Sequence, residues 1–212
     1  MSAACGSNND CTSCAITSCV EASRTQDAVR LIQAGARVAL VCQLTDLPKK
    51  RVKRIYSQLK GQPSPQGQMP FTDVWYLATD LRMLHASLVW HLYRRIARED
   101  RSEADTLLKV YESYLHLVNK PELDLTRTFF VLRLMTMSLW ETRQCRHCDN
   151  TFLAPTDEKH DIACPGCRLY HRYRCARCGG TLNAGNVGRP VTICPHCTEN
   201  HTHETHCSSC KH

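Results

Sequence analysis

Eight cysteines between Cys145 and Cys197 constrain this chain more than any other feature. They read Cys145-x-x-Cys148, fifteen residues, Cys164-x-x-Cys167, then Cys175-x-x-Cys178, fifteen residues, Cys194-x-x-Cys197, so each of the first four has a counterpart 30 positions on. Two residues between thiolates let a tight turn aim both sulfurs at one ion. Two such turns joined by a hairpin complete a tetrahedral all-thiolate site, the donor set of structural zinc. Cys145, Cys148, Cys164 and Cys167 are assigned to a first Zn2+, and Cys175, Cys178, Cys194 and Cys197 to a second. Gly179-Gly180 follows one knuckle, and Pro165 and Pro195 sit inside the second knuckle of each unit. Ile162-Ala163 and Val191-Thr192-Ile193 are expected to lead into those knuckles as strands. Four thiolates leave no open coordination position, so the metal is predicted to be structural and closed to water. It would hold a segment too short and polar to fold by burial alone. Sequential quartets are favoured because each spacing suffices by itself. Cross-bracing, as in a RING-type ligase domain, and a set of disulfides are the alternatives, the latter opposed by the lack of secretory context.

The 212 residues suit one helical domain plus a small appended module. The net charge of +7 favours an acidic partner such as nucleic acid. No run approaches eighteen uninterrupted apolar residues, and the first 24 lack the apolar core and early basic run of a signal peptide. A reduced, cytoplasmic protein is expected. No His-Glu-x-x-His, glycine-rich phosphate loop or open zinc position beside a general base occurs, so an enzyme is not expected.

Before the quartets the chain reads as mainly α, a helical bundle. Residues 1–24, with Cys5, Cys11, Cys14 and Cys19 among small polar residues, read as a disordered leader. Ala28, Leu31 and Ile32 then form a helical face ending at Gly35, and a second helix is expected over Arg37–Leu44. Thr45-Asp46 supplies a turn, and Pro48 opens a third helix running to Lys60. Val52, Ile55, Tyr56 and Leu59 form its core stripe, while Lys49, Lys50, Arg51, Lys53, Arg54 and Lys60 cover the rest. Helix, short turn and basic helix are the order of a helix-turn-helix over 37–60, although Asp46 stands where such turns often carry glycine. The competing reading is a solvated basic face.

Gly61–Pro70 reads as a linker or an ordered loop. One long helix is expected from Asp73 to about Arg98, a second capped by Ser102 and ending before Pro121, and a last over about Leu125–Glu141. The last is apolar nearly all round, as an inner helix or a partner interface would be. His85 and His91 read as ordinary core or surface histidines. The segment from Arg143 to Arg189 carries eight cations against four acids, with His171-Arg172-Tyr173-Arg174 at the joint of the two quartets. Lys49, Lys50, Arg51, Lys53, Arg54, Arg172 and Arg174 are therefore the candidate DNA contacts. The boundaries are 1–24 leader, 25–142 helical domain with partner-binding helices, 143–170 first four-cysteine zinc module, 171–199 second, ribbon-like zinc module, and 200–212 a His/Cys tail.

LIQAGAR (Leu31–Arg37), RIYSQLKGQPSPQGQMPFTDVWY (Arg54–Tyr76), HAS (His85–Ser87), ADTLLKVYESYL (Ala104–Leu115) and LTR (Leu125–Arg127) occur in the order seen in the FlhC family, the C subunit of the bacterial flagellar master transcriptional activator. The resemblance covers about residues 25–168. It implies a largely helical fold, one zinc on the first quartet, a hetero-oligomer with an FlhD-type subunit, binding to flagellar promoter DNA and recruitment of RNA polymerase. The leader and the second quartet lie outside that pattern, and the duplicated quartet implies two zinc ions. The other classes are a cross-braced interaction adaptor that does not bind DNA, and a metal or redox carrier using the loose tail thiols.

Overall fold

The computed structural model describes residues 17–65, 69–99, 101–158, 163–182 and 192–199. Helices predominate, and the sheet among the described residues is a single two-stranded hairpin. The chain divides into two compact units. One comprises the chain up to Asp73 with His85–Met137, and the other comprises Val74–Leu84 with the chain from Ser138.

In the first unit, helix α1 spans Thr17–Gln33, so Thr17–Arg24 of the expected leader is helical. Residues 1–16 of that leader lie outside the described residues. Ala28, Leu31 and Ile32 are buried as the periodicity requires. The helix stops at Gly35, whose φ of 95° is a left-handed conformation that suits glycine. Helix α2 spans Val38–Thr45 and α3 spans Lys49–Lys60. Between them Asp46 adopts φ 54° and its N–H bonds the Cys42 carbonyl. Aspartate is among the few residues that enter the left-handed region at modest cost, so it replaces the turn glycine. Pro48 stands at the N-cap, one residue before the first helical position. Val38, Leu40, Val41, Leu47, Val52, Ile55 and Tyr56 are buried, and α1 packs on both helices of the motif.

Helix α6 (Glu103–Leu117) begins where expected, the Ser102 Oγ accepting from the Asp105 N–H at 3.1 Å. Helix α7 (Leu125–Thr136) is capped by Asp124, which accepts from the Arg127 N–H at 2.7 Å. Its residues Leu125, Phe129, Val131, Leu132 and Leu134 are buried, which makes it an inner helix. Tyr114, fully buried, ties the α6–α7 loop: its hydroxyl accepts from the N–H of Glu122 (2.9 Å) and Leu123 (3.2 Å) and lies 2.6 Å from His85 Nδ1. A phenol oxygen accepting twice has its proton left to donate. His85 Nδ1 therefore accepts, and the ring carries its hydrogen on Nε2. Burial holds this imidazole below its ordinary value, against the pull of Glu122.

Leu59 of the expected α3 core stripe is exposed, and three further expectations fail. The long helix from Asp73 is two, α4 (Val74–Leu77) and α5 (Asp80–Ile96), because Thr79 Oγ1 accepts from the Arg82 N–H and starts a new helix. The last helix ends at Thr136 rather than Glu141. Ser138 takes φ 55°, and Trp140–Gln144 becomes strand β1, paired antiparallel with β2 (Thr151–Pro155). The buried Trp140 packs edge-on against Tyr76, and this long-range contact outweighs local helical pattern. The second knuckles open helices, α8 (Pro165–Arg172) and α9 (Pro195–Glu199), each with proline at the first position, and Ala163, Thr192 and Ile193 before them are not in strands. Ile162 and Val191 lie outside the described residues, as do part of the 61–70 linker and the 200–212 tail. No helix among the described residues is long and apolar enough to cross a membrane.

Candidate metal centres and nucleic-acid interface

The β1–β2 hairpin and the start of α8 build the first quartet. The knuckle after β1 is a tight turn in which Cys145 N–H donates to Asn150 O and Asp149, at φ 57°, donates to Cys145 O. The second knuckle is the first turn of α8, where Cys164 is the N-cap and its Sγ accepts from the Cys167 N–H. The two turns meet when Cys164 N–H donates to Cys145 Sγ at 3.2 Å. The Sγ atoms of Cys145, Cys148, Cys164 and Cys167 lie within 4.8 Å of one another, and those of Cys175, Cys178, Cys194 and Cys197 form a second such group. The quartets thus group sequentially and do not interleave. Cys148 is exposed, so the first group is open to water along one side.

The donor chemistry suits a thiophilic cation. Burial pushes the Cys145 thiol up, but N–H donation from Cys164, His147 and Cys148 outweighs it and brings the thiol down to about 6. In the second group, N–H donation from Cys178 and Cys194 outweighs burial and brings Cys175 to about 6. One cysteine of each quartet is poised to ionise first, and a cation would displace the remaining protons.

Asp80 is a functional residue that the sequence did not single out. Its carboxylate, 12% exposed, receives Arg168 Nε at 2.6 Å and Arg172 Nη2 at 2.9 Å, both from α8. The helix that carries Cys164 and Cys167 is thereby anchored. Arg172, expected to face DNA, is held in this clamp. Arg174 donates to the Gly179 carbonyl and stacks 4.2 Å over Tyr170. On the other motif, Arg51 is tied to Thr25 Oγ1 and Glu21. Lys49, Lys50, Lys53 and Arg54 remain exposed on α3. Lys49 and Lys53 also line a cleft of about 460 Å³ with Arg37, Ser57 and Ser64. Arg37 was missed because it precedes α2 as a lone cation and joins the α3 lysines only through the fold.

An apolar row, Val74, Leu77, Leu81 and Leu84, is 38–67% exposed along α4 and the start of α5. It differs from the buried α7, where an interface was one of the two readings.

The model of the flagellar transcriptional activator (FlhC) family matches residues 15–181. It therefore takes in the helix-turn-helix segment, the first quartet, and Cys175 and Cys178 of the second. The flagellar transcriptional regulator FlhC of Paraburkholderia phymatum is 34% identical over 147 residues, covering 66% of this chain and 67% of its own length. That of Paraburkholderia atlantica is 28% identical over 200 residues (90% and 92%), and that of Variovorax paradoxus 30% over 177 (79% and 87%). With the model matching well over half of its length, and with helices and cysteine quartets in the expected order, this chain belongs to the FlhC family of flagellar transcriptional activators.

Proposed function

We propose that this chain is a DNA-binding activator subunit that works in the cytoplasm with an FlhD-type partner on flagellar promoters and helps recruit RNA polymerase. The observation that carries the reading is the family match over residues 15–181, within which α2, the left-handed Asp46 turn and the cationic α3 form a helix-turn-helix order. Lys49, Lys50, Lys53 and Arg54 meet phosphates and base edges. Arg37 adds a phosphate contact from the cleft it shares with Lys49 and Lys53. Arg51, Arg172 and Arg174 act chiefly by orienting their own elements.

Cys145, Cys148, Cys164 and Cys167 hold Zn2+, which supplies a cross-link between the hairpin and α8 and performs no reaction. The exposed Val74, Leu77, Leu81 and Leu84 row offers the partner subunit an apolar seat. The family is one of transcriptional regulators and not of enzymes.

Fluorescence anisotropy of flagellar-operon promoter DNA, with this chain alone and with the FlhD-type subunit of the same organism, tests the reading. Salt-dependent binding that appears or sharpens with the partner is expected. Absence of binding in both samples, with zinc loaded, would overturn it.

A further inference from the structure

We propose that Cys175, Cys178, Cys194 and Cys197 form a second, independent metal centre, a tetrathiolate site for Zn2+ that closes its own module. It goes beyond the activator reading and does not depend on it.

The period of 30 in the sequence is repeated bond for bond in the backbone. Cys145 N–H donates to Asn150 O at 2.9 Å, and Cys175 N–H to Gly180 O at 2.8 Å. Asp149 N–H and Gly179 N–H each return to the carbonyl of the first cysteine at 2.9 Å, both residues having positive φ. Cys164 N–H donates to Cys145 Sγ at 3.2 Å, and Cys194 N–H to Cys175 Sγ at 3.3 Å. The last pair of the β1–β2 hairpin, Gln144 with Thr151, returns as the isolated bridge of Arg174 with Thr181. Phe152 is buried against the first quartet, and Leu182, 30 positions later, against the second.

Sulfur spacing fits four ligands around one ion. Four sulfurs about 2.3 Å from one ion stand about 3.8 Å apart along the edges of a tetrahedron. Cys148 and Cys164 Sγ are 3.7 Å apart, and so are Cys178 and Cys194 Sγ. A disulfide requires about 2.05 Å, so these pairs stand at the separation of shared ligands and not of bonded sulfurs. No other cluster of metal-ligating side chains occurs among the described residues.

Energetics require the cross-link. Among the described residues the buried core of the second module is Cys175, Leu182 and Cys194, with Leu182 its one buried non-cysteine residue. Burying a leucine contributes roughly 1.5–3 kcal/mol, whereas ordering each backbone residue costs about 1–2 kcal/mol. Apolar burial therefore falls far short, while structural zinc contributes about 10–16 kcal/mol. Four thiolates leave no position for water or substrate, so the centre is structural.

The test counts metal on the full chain, purified reduced, by elemental analysis and by titration with Co2+ followed through its thiolate charge-transfer absorption. Two ions per chain are expected, with the absorption per ion equal for both. The Cys175→Ser/Cys194→Ser variant should keep one ion and the helical circular dichroism. Cys145→Ser/Cys164→Ser should also keep one, now on the second quartet. One ion in the wild type, or two retained by Cys175→Ser/Cys194→Ser, would overturn the proposal. Neither result bears on promoter binding, which is read separately.

Discussion

Replacing Tyr114 with phenylalanine removes one oxygen and preserves the ring. That oxygen satisfies three groups: the N–H of Glu122, the N–H of Leu123 and Nδ1 of His85. Leu123 is 1% exposed and Tyr114 fully buried, so water cannot replace the lost partner at Leu123 without opening the loop. A buried donor left unpaired costs about 1–3 kcal/mol. Taking about 2 kcal/mol for Leu123 and about half that for Glu122 and His85 together gives a loss of about 3 kcal/mol. For a helical unit of this size that corresponds to a fall in Tm of about 10 °C. Urea unfolding followed by far-ultraviolet circular dichroism should show a lower midpoint at unchanged slope, because the surface exposed on unfolding is the same. Metal content should not change. A loss below about 1 kcal/mol would refute the reasoning, since it would mean that the three groups are solvated or repartnered at little cost.

The burial of His85 predicts a pH dependence. His85 has a folded value below the ordinary one near 6.5, so the unfolded chain binds the proton first as pH falls. Its contribution should be complete above about pH 7 and be lost as pH falls through about 6.5 towards the folded value. The gap in urea midpoint between wild type and His85→Asn should therefore change between about pH 7.5 and about pH 5.5, and a constant gap would contradict this. Asp80→Asn should weaken the clamp on α8 by about 1–2 kcal/mol, most of it from Arg168, because Arg172 is 56% exposed. Zinc transfer from the first quartet to a chromogenic chelator should then accelerate about tenfold, and an unchanged rate would show that Asp80 does not hold the helix. Arg37→Ala and Lys53→Ala should each lower the salt slope of promoter binding by about 1 without altering sequence preference; an unchanged slope would move the phosphate contact elsewhere.

Spacing and local chemistry carried much of this protein into view from sequence. Cysteine pairs two residues apart place ligands through covalent connectivity alone, so both quartets were legible before any fold was known. Caps act within one turn, which is why Ser102 marked the start of α6 and Gly35 the end of α1. Apolar periodicity likewise placed Ala28, Leu31, Ile32, Val52 and Ile55 in the core. Tertiary structure decided what depends on distant partners. Apolar pattern continued past Leu77 and Thr136, but Thr79 capping and the packing of Trp140 on Tyr76 ended those helices. Charge alone named Arg51, Arg172 and Arg174 as candidate DNA contacts; only the fold brought Glu21 beside Arg51 and Asp80 beside Arg172. Local interactions are fixed by neighbours in the chain, whereas a cation's availability depends on residues brought near it from dozens of positions away.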